Sequence, residues 1–86
     1  MKAKANVQVR SIEVIANEIR RDWGVKTDYA ARPYLKAMYG LNSISDNYLC
    51  DSASEIVARF LNNASTWHGM TARRIKDELK AMLKTK

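Results

Sequence analysis

The sequence predicts an all-α fold, a compact four-helix bundle whose last two helices are joined by a tight glycine turn. Three observations carry that expectation. Apolar residues recur at three- and four-residue spacing in several stretches, and nowhere alternate over enough positions to build a sheet. Each of the three glycines stands where such a stretch ends, in "RRDWG" at Gly24, "AMYG" at Gly40 and "TWHG" at Gly69, and glycine closes a helix at little steric cost. The chain has 86 residues, 47% hydrophobic and 28% charged, which is ordinary usage for one globular domain spanning 1–86 and leaves no room for a second.

Residues 1–10 read as a flexible or partly extended lead-in, because Val7 and Val9 alternate with polar neighbours, with a lengthened first helix as the alternative. The first helix is expected to start at Ser11, whose hydroxyl can cap free amides, with Glu13 suited to the positive end of the helix dipole. Ile12, Ile15, Ala16, Ile19 and Trp23 then share one face, and Arg20 and Arg21 suit the negative end. Pro33 interrupts the next element, so "KTDYAAR" reads as a turn or short helical piece and "PYLKAMY" as a short helix with Leu35 and Met38 inward. "LNSISDNYLCD" reads as a loop with Ile44, Tyr48 and Leu49 as anchors.

The third helix opens on "SASE", a capping box of Ser52 and Glu55. Ala53, Ile56, Val57, Phe60, Leu61, Ala64 and Trp67 give it an apolar face broad enough for a central helix, and Glu55 can pair with Arg59 on the other side. The fourth is expected to start with Thr71 as cap, to staple Met70 onto Ile75, and to bury Ala72, Ile75, Leu79, Met82 and Leu83.

Totals narrow the function. No run approaches the roughly 20 apolar residues of a membrane span, and the start lacks the apolar core of a secretory signal, so a cytoplasmic location without membrane contact is expected. A single cysteine, Cys50, gives no internal disulfide. Fifteen Lys and Arg against nine Asp and Glu leave a net charge of +6, which makes acidic partners plausible without choosing among them.

Reactive chemistry finds little support. One thiol and one imidazole, Cys50 and His68, lie in no nucleophile–base signature, so no catalytic residue is expected and the protein is not expected to be an enzyme. One His and one Cys fall short of a zinc set, and Asp46 and Asp51 lack the calcium-loop pattern, so neither metal nor cofactor is expected. Cys50 is read as a small, partly buried residue at a helix entrance and His68 as a last-turn residue of the third helix.

The basic residues say more. Arg73, Lys76, Lys80 and Lys84 fall on one side of the last helix, where they could follow a phosphate backbone, while Arg74 sits on a flank beside Glu78. Around Gly69 there is a partial match to a DNA-reading helix-turn-helix, with Thr71 and Arg73 nearest any base edge, although Glu78 falls where that motif wants an aliphatic residue. A plain helical hairpin competes with it. Trp23 and Trp67 read as core, while Tyr29, Tyr34 and Tyr39, interleaved with Arg32 and Lys36 around Pro33, form an aromatic and basic group that suits a protein-binding patch or base stacking, or simply covers the core edge.

The stretches "IEVIANEIRRDW", "RPYLKAMYGLNSISDNY" and "SEIVARFLNNASTWHGMTARRIKDELKAML" together resemble small helical proteins of no known activity carried by bacterial phages, plasmids and integrative elements. The resemblance implies a mobile-element setting, with element DNA, host nucleoprotein machinery or host defence complexes as partners. From the residues themselves the reading is a non-enzymatic module presenting a basic helix face to an acidic macromolecule, nucleic acid ahead of protein. The alternative is a protein-binding adaptor or inhibitor of host machinery that uses Tyr34, Lys36 and Tyr39.

Overall fold

The computed structural model describes residues 10–85. The lead-in expected over residues 1–10 lies, apart from Arg10, outside the described residues, as does Lys86. Among the described residues the chain is predominantly helical, with four α-helices and one small ribbon of two strands.

Ser11 starts α1 (Ile12–Trp23) as expected, its Oγ accepting the Glu13 amide at 3.2 Å. A helix start leaves further amides to satisfy. Here the Ile12 and Glu13 N–H groups also donate to the Asn42 and Leu41 carbonyls, each at 2.9 Å, which ties the start of α1 to the chain beyond the second helix. Gly24 ends α1 at φ 59, and its N–H closes on the Arg20 carbonyl. Ile12, Ile15, Ala16, Ile19 and Trp23 are all buried.

Two short 3-10 turns, Gly24–Lys26 and Tyr29–Ala31, lead into α2 (Arg32–Met38), which carries Pro33 in its first turn. Arg32 is helical (φ −59, ψ −45) despite the following proline, because the second 3-10 turn feeds straight into the helix. Leu35 and Met38 face the core, joined by Ala37 and by Leu41 beyond the helix. Tyr39 caps α2 and Gly40 lies one residue past it, so the helix stops before its glycine.

The loop after α2 holds a feature the sequence did not suggest. Asn47–Tyr48 (β1) pairs antiparallel with Asp51–Ser52 (β2), Asn47 opposite Ser52 and Tyr48 opposite Asp51. Asp46 organises the approach: its Oδ2 accepts the Asn42 and Ser43 amides at 2.9 and 3.1 Å, and its carbonyl accepts the Ala53 amide at 2.8 Å. Those backbone donors, Ser43 first, hold the Asp46 carboxyl below its ordinary range. Ile44 and Tyr48 pack on the core edge, but Leu49 is no anchor: it sits at the ribbon tip with φ 58 and is 86% exposed.

Ser52 caps α3 (Ala53–Asn62), accepting the Glu55 amide at 3.2 Å. The helix ends earlier than its apolar period suggests. Asn63 closes it, the backbone N–H reaching the Arg59 and Phe60 carbonyls and Nδ2 the Arg59 carbonyl at 2.8 Å. Residues 63–69 then form a connection before α4 (Met70–Thr85), so the tight glycine turn expected between the last two helices is replaced by a longer segment with its own turn, in which the Trp67 amide donates to the Ala64 carbonyl at 3.0 Å. A helix-turn-helix needs a turn of roughly three or four residues, so that partial match fails on geometry.

Ala64 and Trp67 are buried from this connection rather than from α3. Trp67 stacks on Trp23 (centroids 5.5 Å apart, planes at 13°), and both rings meet Phe60 edge-on. Ala72, Ile75, Leu79 and Met82 form the buried stripe of α4, with Leu83 at its margin. Burying a side chain such as Ile75 or Leu79 contributes roughly 1.5–3 kcal/mol. α3 packs on both α2 and α4, in keeping with its broad apolar face, and α4 closes back on α1.

Candidate nucleic-acid interface

The buried stripe of α4 fixes what the helix shows outside. At about 100° per residue, Arg73, Lys80 and Lys84 fall within about 40° of one another, opposite Ile75 and Leu79. All three are exposed. Lys76 stands about 40° from Lys80, toward the core boundary. It is half-buried, and its ammonium donates to the Trp67 carbonyl at 2.7 Å while lying 5.9 Å from the centre of the Trp67 ring.

Thr71 is placed differently. It lies about 160° around the helix from Arg73 and is half-buried, so the two cannot face one base edge together. Nor does Thr71 cap α4, which already begins at Met70. Met70 is 89% exposed and makes no staple on the buried Ile75.

Electrostatics divides α4 into two flanks. On one, Arg10 grips Glu78 with two hydrogen bonds (Nε to Oε2 at 2.9 Å, Nη2 to Oε1 at 2.7 Å) and reaches Glu18 of α1 at 2.8 Å. Arg74 completes the group by pairing with Glu18, not with Glu78 as the sequence suggested, because Arg10 already occupies Glu78. The pairing holds the Glu18 carboxyl below its ordinary range, the Arg10 hydrogen bond contributing most, against partial desolvation, and Arg74 adding to it. The two carboxylates, Glu78 foremost, raise the Arg10 pKa against partial desolvation.

On the other flank the cations stand without counter-ions. Among the described residues, none of Arg73, Lys76, Lys80 and Lys84 joins an ion pair. Burial, and then the charge of Lys80 one turn on, push the Lys76 ammonium below its ordinary pKa. Arg73, Lys76, Lys80 and the single carboxylate Asp77 line an open depression of about 690 Å³ whose other wall includes Trp67 and His68. The amino end of α4 lies against it, and free amides there favour anions.

The alternative protein-binding group is not assembled. Tyr34 and Tyr39 sit about 140° apart around α2, each packed on the core edge, and Lys36 is exposed beyond Tyr39. Cys50 is exposed at the ribbon tip rather than partly buried at a helix entrance, and His68 is exposed in the connection rather than in a helix. No hydrogen bond joins them. Among the described residues no Glu55–Arg59 ion pair forms, no cluster of three or more His, Cys, Asp or Glu could hold a metal, and no helix is long and apolar enough to cross a membrane.

Sequence reasoning missed Arg10 and the Trp67 carbonyl. Neither carries a local signal, since each acquires its part through a contact distant in the chain. Fold and site together describe a small, predominantly helical globule with one neutralised and one un-neutralised flank on its last helix. Comparison with protein-family models, curated proteins and solved structures finds no match.

Proposed function

We propose that this protein is a non-enzymatic binding module that lays the basic side of α4 along an acidic macromolecule, with nucleic acid ahead of an acidic protein surface. One observation carries the reading: Arg73, Lys80 and Lys84 share an exposed face and lack carboxylate partners, whereas Arg74 on the opposite flank is neutralised. From Arg73 to Lys84 the helix advances about 16 Å, a length over which duplex nucleic acid carries about ten phosphate charges. With Thr71 turned away, Arg73 is left as the one side chain of this face suited to a base edge, so the reading is of binding carried chiefly by contact with the backbone. Exposed Cys50 and His68 on separate turns support the non-enzymatic side.

The proposal extends to the setting. The resemblance to phage- and plasmid-borne proteins supports a bacterial cytoplasm, with element DNA or host nucleoprotein as the natural target, and four helices acting as one small bundle. Binding of a labelled short duplex and of single strands is the test. Binding at low salt that is abolished by Lys80→Glu with Lys84→Glu is expected, and no binding at low salt would overturn the reading. One stoichiometric protein recovered from host extract after nuclease treatment would move the partner to the acidic-protein class.

A further inference from the structure

The counter-ion balance around the start of α4 points to a more specific ligand than a polyanion in general. Three cations, Arg73, Lys76 and Lys80, line the depression there against one carboxylate, Asp77. Counting His68 neutral, two positive charges remain uncompensated. The half-buried cation Arg10 is matched by carboxylates on two sides, whereas the half-buried Lys76 joins no ion pair.

Holding Lys76 and Lys80 one turn apart while half-burying the first costs free energy, because like charges at that spacing repel and a partly dehydrated ammonium is less stable. The ammonium of Lys76 has three donors, and only one is taken, by the Trp67 carbonyl. Trp67 offers no free face to stack on, being 3% exposed and covered by Trp23, which leaves the exposed His68 imidazole as the one accessible ring of the wall. An occupant is therefore recognised chiefly by charge and hydrogen bonding. Lys84 lies outside the lining, so the cations that face the depression are those of the first three turns of α4.

We infer that the depression at the amino end of α4 binds a phosphomonoester dianion, the terminal phosphate of a nucleic acid strand, through Arg73, Lys76 and Lys80. A dianion supplies the two missing charges, whereas a phosphodiester supplies one and is tethered on both sides. The strand leading away from the terminal group then runs along Lys80 and Lys84. This inference rests on the proposed nucleic-acid reading for the source of the phosphate, while the site itself does not.

The experiment compares one labelled oligonucleotide with and without a terminal phosphate, at fixed salt, with pyrophosphate titrated separately and followed by amide and lysine-ammonium NMR shifts. Terminal phosphate should tighten binding by about tenfold or more, the worth of a pair of charge-assisted hydrogen bonds. Arg73→Gln, on an exposed side chain, and Lys76→Gln should each reduce that ratio toward one. Lys84→Gln should weaken both oligonucleotides equally and leave the ratio standing. Circular dichroism confirms that each variant is folded. Equal affinity for the two ends in the wild-type protein would overturn the inference while leaving the broader function intact. Pyrophosphate shifts at Arg73 and Lys76 without oligonucleotide binding would support the site and overturn the nucleic-acid source. Neither ligand binding would overturn both.

Discussion

The indole nitrogen of Trp67 donates to Oδ2 of Asp22 at 2.8 Å, fastening the connection before α4 to the last turn of α1. The same residue offers its carbonyl to Lys76 and its ring to Trp23 and Phe60. Trp67 thus couples the aromatic core to the wall of the basic depression. Asp22→Ala should destabilise the fold by about 1–2 kcal/mol, and Asp22→Asn by less, because its amide oxygen can still accept. Urea midpoints of the three proteins check this, and an unchanged midpoint for Asp22→Ala would show that the bond contributes nothing.

The Arg10–Glu18–Arg74 group makes stability depend on acid. The Glu18 carboxyl lies below its ordinary value of 4.5 in the folded state, so between the two values the unfolded chain holds more protons. Its contribution is therefore present above about pH 4.5 and is lost as pH falls through the lower folded value. Melting temperatures taken down that range should fall for the wild-type protein and fall less steeply for Glu18→Gln. Parallel curves would remove Glu18 from the acid response.

Lys80 exposes a conflict between stability and binding. It lies one turn from Lys76 and adds to the depression of that ammonium's pKa. Lys80→Gln should stabilise the fold by about 0.2–0.5 kcal/mol at low salt while weakening polyanion binding, and the stability gain should shrink as salt rises. A purely structural lysine would show the reverse, a loss of stability with no change in binding. Thermal melts and anisotropy titrations on one preparation decide between them.

Two glycines should respond oppositely to alanine. Gly69 has φ +109 with nothing within 4 Å of an added Cβ, so Gly69→Ala is strained by backbone alone and should cost about 1 kcal/mol or more. At Gly40 the nearest atoms to an added Cβ are at 3.6 Å, an ordinary contact, and φ lies outside the left-handed region. Gly40→Ala should be neutral or slightly stabilising, through a less flexible unfolded chain. Equal losses at both positions would contradict the backbone account.

The contrast between these glycines shows what was legible in the sequence. The face of α1 could be read residue by residue because Ser11, the apolar period and Gly24 agree on one helix. At α3 two signals disagreed. Ala64 and Trp67 fall four and seven residues after Phe60 and so continue the helical period, yet Asn63 had already ended the helix with its own side chain. Burial periodicity does not distinguish a residue on a helix from one returned to the core by a turn. The same ambiguity placed Gly69 at the end of a helix when it precedes one.

At the candidate site, the shared face of Arg73, Lys80 and Lys84 was legible because helical spacing alone sets it. Which cations are neutralised was not. Arg74 and Glu78 look like natural partners one turn apart, and only the tertiary arrival of Arg10 and Glu18 redirects them. Leu49 is a related case, an apolar residue expected inside that the two-residue tip of the ribbon turns out to solvent.

The central claim is that α4 contacts phosphates through the three exposed cations Arg73, Lys80 and Lys84. Its most direct test is the salt dependence of duplex binding. Three phosphate contacts predict that log K falls against log salt with a slope of about −2.7, and Lys84→Gln should reduce the slope by about 0.9 with little change in stability. A slope near zero, or one that Lys84→Gln leaves unchanged, would contradict the account.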